Sequence, residues 1–199
     1  MASEVPRRSR RTTIAVMAVT TVLILGAAYM ADKPSSGSSL TSVVLSGGAT
    51  GPAPEIGKPA PNFTATTTEG KKITLSQLRG HPVWLTFGAP WCQPCRAENP
   101  DVEATYRKYQ GQGLQLVAVF IQDSAADVEE YAQRTGLTYT KIVDSSGAIA
   151  NNYRIDGIPT HFFIDSSGIL REIKISSLNP TSMGEALSQI GVKVAGSAE

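Results

Sequence analysis

The chain has 199 residues, 41% of them hydrophobic, and a formal net charge of +1 at pH 7, which suits one folded domain with appendages. The positive charge is concentrated near the start, in Arg7, Arg8, Arg10 and Arg11, and the rest of the chain is slightly acidic. No basic stripe remains that could bind a phosphate backbone, so nucleic acid is not expected as a partner.

Residues 12–31 are predicted to form a transmembrane signal-anchor helix. They contain no Asp, Glu, Lys or Arg, and at ~1.5 Å per residue they match the thickness of a bilayer core. The basic segment 1–11 places the N-terminus in the cytoplasm and the rest outside the cell membrane. The alternative is a cleaved signal peptide and a secreted protein, which the small residues Gly26, Ala27 and Ala28 favour and the long apolar run disfavours. Either way the folded part works where disulfides persist.

Residues 32–54 are predicted to be a flexible linker, because Ser, Gly, Pro and Thr dominate them and cannot bury enough apolar surface. The folded domain then spans residues 55–199. Its predicted elements, in chain order, are a hairpin (62–66 and 72–75), a strand (83–87), a helix (92–109), a strand (114–121), a helix (125–134), a short strand (140–143), a short helix (147–153), an antiparallel pair (160–164 and 169–175) and a last helix (181–190).

The order of these elements predicts an α/β fold. Strands alternate with helices and end in an antiparallel pair, which requires a mixed sheet between helical layers. Residues 83–87 are apolar on both faces apart from Thr86, as expected for the centre of such a sheet.

Cys92 and Cys95, the only cysteines, lie at the junction between this central strand and the first long helix. Positions i and i+3 share one helix face, so the two thiols suit reversible disulfide chemistry. Cys92 lies at the helix start, where free N–H groups and the helix dipole favour its thiolate. It is therefore the predicted nucleophile, and Cys95 is expected to be more buried and protonated until needed.

Two other readings of the cysteines remain open. They could form a static disulfide, although a bridge across two residues closes too small a loop to constrain the unfolded chain much. They could also form half of a zinc site completed by His81 and His161, although the spacings differ from the usual finger patterns.

The residues around the cysteines resemble a known family. The string 91–100, which reads WCQPCRAENP, follows a buried strand and precedes Gly157-Ile158-Pro159-Thr160, as in the thioredoxin fold. More narrowly, the sequence is similar to the membrane-anchored, extracytoplasmic thiol-disulfide oxidoreductases of the TlpA/ResA/CcmG family. Segments 60–63 and 76–80 resemble the start of that family, so the likeness covers residues 55–190. It implies a thioredoxin-like fold with an N-terminal β-hairpin extension.

The resemblance also implies roles for single residues. Pro159 is expected to be cis and to face the cysteines, which leaves the backbone of Ile158 free to pair with a substrate strand; the alternative is an ordinary trans proline at the start of a strand. Trp91 and Pro94 are expected to bind substrate on an apolar rim, although Trp91 could instead fill core space. Glu98 is expected to tune the cysteines and take the proton of the buried thiol, whereas the simpler alternative is a solvated residue in the first helical turn.

Two positions differ from ordinary thioredoxin. Thr86 stands where a buried aspartate usually accepts the proton, and Gly88 stands where Trp is common. Both differences favour Glu98 as the working base. His161 follows Pro159 within a strand and is expected to be a packed or exposed bystander.

The predicted activity is thiol-disulfide exchange with disulfide-containing proteins, with no metal or organic cofactor. The resemblance implies a reductase fed by a membrane electron donor of the CcdA/DsbD type, serving cytochrome c maturation. Three alternatives remain: a disulfide oxidase or isomerase, a thiol peroxidase, and a metal chaperone. A peroxidase needs a Thr three residues before an isolated nucleophile, where this chain has Gly-Ala-Pro-Trp at 88–91.

Overall fold

The computed structural model of the protein describes residues 44–45 and 53–194. The strands are β1 (Val44–Leu45), β2 (Phe63–Thr66), β3 (Lys72–Thr74), β4 (Val83–Gly88), β5 (Gln115–Ile121), β6 (Thr140–Asp144), β7 (Thr160–Ile164) and β8 (Leu170–Lys174). The α-helices are α1 (Gln93–Tyr109), α2 (Ala125–Thr135), α3 (Ala148–Asn152) and α4 (Pro180–Gln189). The elements predicted within the domain are present, with small differences at their ends.

A five-stranded mixed sheet in the order β6-β5-β4-β7-β8 forms the centre of the domain. β4 runs parallel to β5 and antiparallel to β7, while β6 runs parallel to β5 and β8 antiparallel to β7. Every side chain from Val83 to Phe87 is buried, which explains why this strand is apolar on both faces. The predicted α/β class with a mixed sheet is confirmed.

Each face of the sheet has its own core. Trp84 packs on the face that α1, α2 and α4 cover, and Leu85 packs on the opposite face with β2 and α3. Both side chains are fully buried. Burial of apolar area contributes about 25 cal/mol per Å². The two cores therefore hold the carboxyl end of β4, where the cysteines follow, in a fixed position.

The N-terminal part of the domain adds a small antiparallel sheet, in the order β1-β2-β3. Its first strand lies within the segment predicted as a flexible linker, so that prediction is wrong for Val44 and Leu45. Leu45 pairs with Phe63, and Val44 with Thr64. The free edge of β2 supplies backbone partners for these two residues, and local composition contains no information about a partner so distant in the sequence.

The membrane anchor predicted at residues 12–31 lies outside the described residues, as do the basic segment 1–11 and most of the linker. Among the helices of residues 53–194, none is long and apolar enough to cross a membrane. The anchor therefore stays a prediction from sequence.

A buried carboxyl group connects β6 to the short helix α3. Asp144 is fully buried, and its Oδ2 accepts a hydrogen bond of 2.8 Å from the N–H of Ala150. Burial raises the pKa of Asp144 above its ordinary value, although hydrogen bonds from the backbone of α3 act in the opposite direction. The carboxyl group thus provides an acceptor for backbone N–H groups at the start of α3, while its burial disfavours the charged form.

Replacing Asp144 with asparagine is expected to remove one source of pH-dependent stability. The unfolded pKa is about 3.9, and the folded value is higher, so the wild-type group stabilises most below the unfolded pKa. This contribution is lost as the pH rises through the folded value. Urea unfolding at about pH 3.5 and pH 7 measures it. The difference between the free energies of unfolding of wild type and Asp144→Asn (wild type minus variant) should decrease from about pH 3.5 to pH 7. A difference that stays constant would contradict the assignment.

Candidate active site

The two cysteines form a disulfide at the start of α1. The bonded residues have Cα atoms 5.3 Å apart. Cys92 is the N-cap of α1, with extended backbone angles, and its Sγ accepts the N–H of Cys95 at 3.2 Å. This N–H is one of the donors that a helix start leaves without a backbone partner. The sulfur of Cys92 is therefore held where the helix favours negative charge, as predicted.

Both cysteines are buried in the disulfide form, with exposed fractions of 5% for Cys92 and 3% for Cys95. They pack with Ala89 and the half-buried Ile158. A Cβ atom added to Gly88 would lie 3.5 Å from the Sγ of Cys95. Gly88 thus ends β4 directly beside the second sulfur, where the backbone approaches it closely.

The loop before β7 faces the first sulfur. The peptide bond between Ile158 and Pro159 is cis, as the resemblance implied. The Sγ of Cys92 lies 3.8 Å from the carbonyl oxygen of Ile158. Within the described residues, no other backbone group pairs with the N–H or C=O of Ile158. The edge on which an extended peptide could pair is therefore next to Cys92.

The rim around the disulfide is apolar and open to solvent. Trp91 is 55% exposed, so the alternative that it fills core space is wrong. Pro94, at the start of α1, is exposed as well. An exposed aromatic ring beside an apolar loop is typical of a surface that binds another protein.

Glu98 lies one helical turn after Cys95 and is buried, with 5% of its surface exposed. The alternative that it is a solvated residue is therefore wrong. Its Oε2 accepts the backbone N–H of Leu178 at 2.9 Å, and its Oε1 lies 3.4 Å from Nε2 of His161. Glu98 is thus held between α1, β7 and the segment before α4.

His161 is fully buried behind Glu98. Its Nδ1 lies 2.9 Å from Oγ1 of Thr86 and 3.2 Å from Nε1 of Trp84. The sequence predicted a bystander, but the side chain contacts the predicted base. The reason is the register of the sheet, in which Thr86 and His161 are direct partners across β4 and β7. The signal that the sequence offered for a different polar network was Thr86, which stands where ordinary thioredoxin has a buried aspartate.

A small cavity connects Glu98 with Cys95. Thr86, Gly88 and Tyr139 also line it. The volume open to the centre of a water molecule is about 20 Å³. This space suits about one water molecule. Such a water could carry a proton between the carboxylate and the second sulfur, which do not need to touch directly.

Tyr139 does not compete as a base at this cavity. Its burial raises the pKa of the phenol well above its usual value, and the nearby Tyr131, Glu103 and Glu98 act in the same direction. The hydroxyl stays protonated and donates to Oδ1 of Asn99 at 3.3 Å. Among the groups that line the cavity, Glu98 is thus the carboxylate that can accept a proton.

The zinc alternative does not fit the geometry. His81 is exposed just before β4 begins, whereas the cysteines follow the end of this strand. A six-residue strand is ~20 Å long. Within residues 53–194, no group of three or more His, Cys, Asp or Glu side chains could hold a metal ion. The site is built for sulfur chemistry between Cys92, Cys95 and an incoming disulfide.

Comparisons with known proteins agree with this chemistry. Residues 56–173 match the AhpC/TSA family. The chain is 33% identical over 135 residues to the thiol-disulfide oxidoreductase ResA of Geobacillus thermodenitrificans, an alignment that covers 68% of this chain and 78% of the relative. It is 37% identical over 121 residues to ResA of Bacillus thuringiensis subsp. konkukian, covering 60% of this chain and 70% of the relative.

Solved structures show the same fold. A thiol:disulfide interchange protein of the thioredoxin family from Chlorobium tepidum superimposes with a TM-score of 0.61 at 27% identity. The match covers 69% of this chain and 99% of that structure. The thioredoxin-like fold that the resemblance implied is confirmed.

Proposed function

Because the chain belongs to the AhpC/TSA family and, within it, to the ResA-type thiol-disulfide oxidoreductases, it is a protein-disulfide oxidoreductase, and we propose that it works as a reductase. Its substrates are then exposed disulfides of other proteins outside the cytosol. The observation that carries this proposal is the position of the Cys92 sulfur, at a helix start, 3.8 Å from the unpaired backbone carbonyl of Ile158.

The proposed reaction has two exchange steps. The thiolate of Cys92 attacks one substrate sulfur, a mixed disulfide forms, and the other substrate sulfur leaves as a thiolate that takes up a proton. Cys95 then loses its proton to Glu98 and attacks the Cys92 sulfur, which releases the second substrate thiol. The substrate gains two electrons, and the cysteine pair loses them. A second dithiol protein must then reduce the pair again.

The family supports the direction of electron flow. The resemblance of the sequence around the cysteines to the ResA-type proteins implies a reductase, and ResA proteins are relatives of this chain at 33% and 37% identity. Strong oxidants of this fold stabilise the reduced form through their thiolate, so the reduction potential distinguishes the two directions.

The family resemblance supports a narrower assignment. We propose that the client is the apoprotein of a c-type cytochrome, whose haem-attachment cysteines must be reduced, and that a membrane thiol donor of the CcdA/DsbD type supplies the electrons. An anchor at residues 12–31 would keep the catalytic domain beside such a donor at the outer surface of the cell membrane. Neither step uses a metal or an organic cofactor.

Measuring the reduction potential of the full-length protein against glutathione tests the direction. We expect a reduction potential of about −270 mV, as for thioredoxin, together with reduction of insulin disulfides. A reduction potential of about −120 mV would indicate an oxidase. Trp91→Ala serves as a matched variant. It should slow insulin reduction more than reduction of a small disulfide, because the exposed ring contacts only a large substrate. Peroxide consumption faster than disulfide exchange would contradict the proposal.

A further inference from the structure

We propose that His161 is a positioning residue for Glu98, and that the indole N–H of Trp84 locks its imidazole in the tautomer with the proton on Nε2. This inference rests on the proposed function, because it concerns the base that serves Cys95. The three side chains come from β4, β7 and α1, and His161 and Trp84 are fully buried. They lie on the face of the sheet that α1 covers.

The tautomer follows from the chemistry of the indole group. The nitrogen of Trp84 can only donate a hydrogen bond, and it lies 3.2 Å from Nδ1 of His161 in donor geometry. Nδ1 must therefore accept and carries no proton. The hydroxyl of Thr86, 2.9 Å from the same nitrogen, can also donate to it. A neutral imidazole then has its single proton on Nε2.

That Nε2 proton faces Glu98. The distance from Nε2 to Oε1 is 3.4 Å, which is longer than an ordinary hydrogen bond, and Nε2 forms no hydrogen bond of good geometry within residues 53–194. A buried N–H without an acceptor costs about 1–3 kcal/mol. The carboxylate is thus the acceptor that the fold offers, and its other oxygen is occupied by the N–H of Leu178. The N–H of Leu178 holds Glu98 in the orientation that lines the cavity beside Cys95, and Nε2 of His161 lies beside its other oxygen.

The locked tautomer has a consequence for catalysis. Because Nδ1 accepts from the indole, the N–H of the neutral imidazole lies on Nε2, beside Oε1 of Glu98. His161 then acts on the carboxylate as a donor that favours one orientation, and the carboxylate remains the acceptor for the proton of Cys95.

Other titratable groups near this network are neutral or paired. Tyr139 is kept protonated by its burial. Lys174 is the partner of His161 across β7 and β8, and its ammonium group forms an ion pair of 2.6 Å with Glu172, which raises the pKa of Lys174. The groups that face His161 and Glu98 are therefore Cys95 on α1, Tyr139 before β6, and the Lys174–Glu172 pair on β8.

Nitrogen NMR of the full-length protein with ¹⁵N-labelled histidine tests the tautomer directly. The chain has two histidines, and His81 is exposed, so it serves as an internal reference for a solvated imidazole. We expect the neutral ring of His161 to show a protonated Nε2 and an unprotonated Nδ1, in the oxidised and the reduced protein. A neutral ring with its proton on Nδ1 would overturn the inference.

Variants test the effect on Glu98. We expect His161→Leu to slow release of the mixed disulfide roughly tenfold at neutral pH, because Glu98 loses a donor. His161→Gln, which retains a neutral N–H donor, should restore most of the rate. Trp84→Phe keeps an aromatic ring against Phe163 but removes the lock, and should also slow release, with a proton detected on Nδ1 of His161 in part of the molecules. Release at the wild-type rate in both His161→Leu and Trp84→Phe would overturn the role.

The two proposals can fail separately. If the tautomer is wrong while insulin reduction remains, the inference about His161 fails and the reductase stands. If the potential is that of an oxidase while the NMR signature holds, the direction fails but the network around Glu98 stands. The NMR measurement uses the wild-type chain, so it decides the tautomer even if a variant does not fold.

Discussion

A Cys95→Ala variant is expected to lose at least about 10³-fold in turnover and to accumulate mixed disulfides through Cys92. The sulfur of Cys95 is bonded to that of Cys92 in the structure, and the Cα atoms of the two residues are 5.3 Å apart. A group held at this distance acts with a far higher effective concentration than a thiol in solution. Without it, the captured substrate leaves only when an external thiol attacks. The sulfur of Cys92 remains beside Ile158 and should still react.

Non-reducing gels and mass spectrometry of the captured proteins measure this result. Cys92→Ala is the matched control: it removes the attacking sulfur and should capture nothing. Wild-type turnover in Cys95→Ala, or equal capture by the Cys92 variant, would contradict the assigned roles. The identity of the captured proteins tests the client as well. Apocytochromes would support the maturation role, whereas a broad set of secreted proteins would indicate general disulfide reduction.

Glu98 is expected to have a structural and a chemical role that two substitutions separate. Glu98→Ala leaves the N–H of Leu178 without its acceptor in a buried site and removes the carboxylate beside His161. Loss of one partner of a buried polar pair costs about 3 kcal/mol in the free energy of unfolding. Glu98→Gln keeps the size of the side chain and an oxygen for Leu178. We expect it to cost less than Glu98→Ala, because the N–H of Leu178 keeps an acceptor.

The chemical effect should be large even where the loss of stability is small. The amide of Glu98→Gln cannot accept the proton of Cys95, so release of the mixed disulfide should slow by about 10²-fold although the variant is folded. Urea unfolding and single-turnover kinetics measure the two effects independently. Release at the wild-type rate in a folded Glu98→Gln variant would show that another group accepts the proton.

Local patterns in the sequence predicted much of this molecule. The apolar run of β4 identified the central strand, because only a strand covered on both sides can be apolar at every position. The spacing of Cys92 and Cys95 at a strand-to-helix junction identified the reactive pair, and the structure bonds them. Residues 157–160 identified the loop that faces the pair, where Pro159 is cis. Each of these signals depends on residues close together in the chain.

Contacts between distant residues could not be predicted in this way. The sequence predicts a bystander at His161, because nothing near it in the chain shows that it lies opposite Thr86 and behind Glu98. The pairing of β1 with β2 cannot be predicted from local sequence for the same reason. By itself, then, the sequence determined the order of elements and the reactive sulfurs, since backbone periodicity and helix polarity are local. Only the tertiary structure decided which buried donors face Glu98, because that depends on strand register and helix packing.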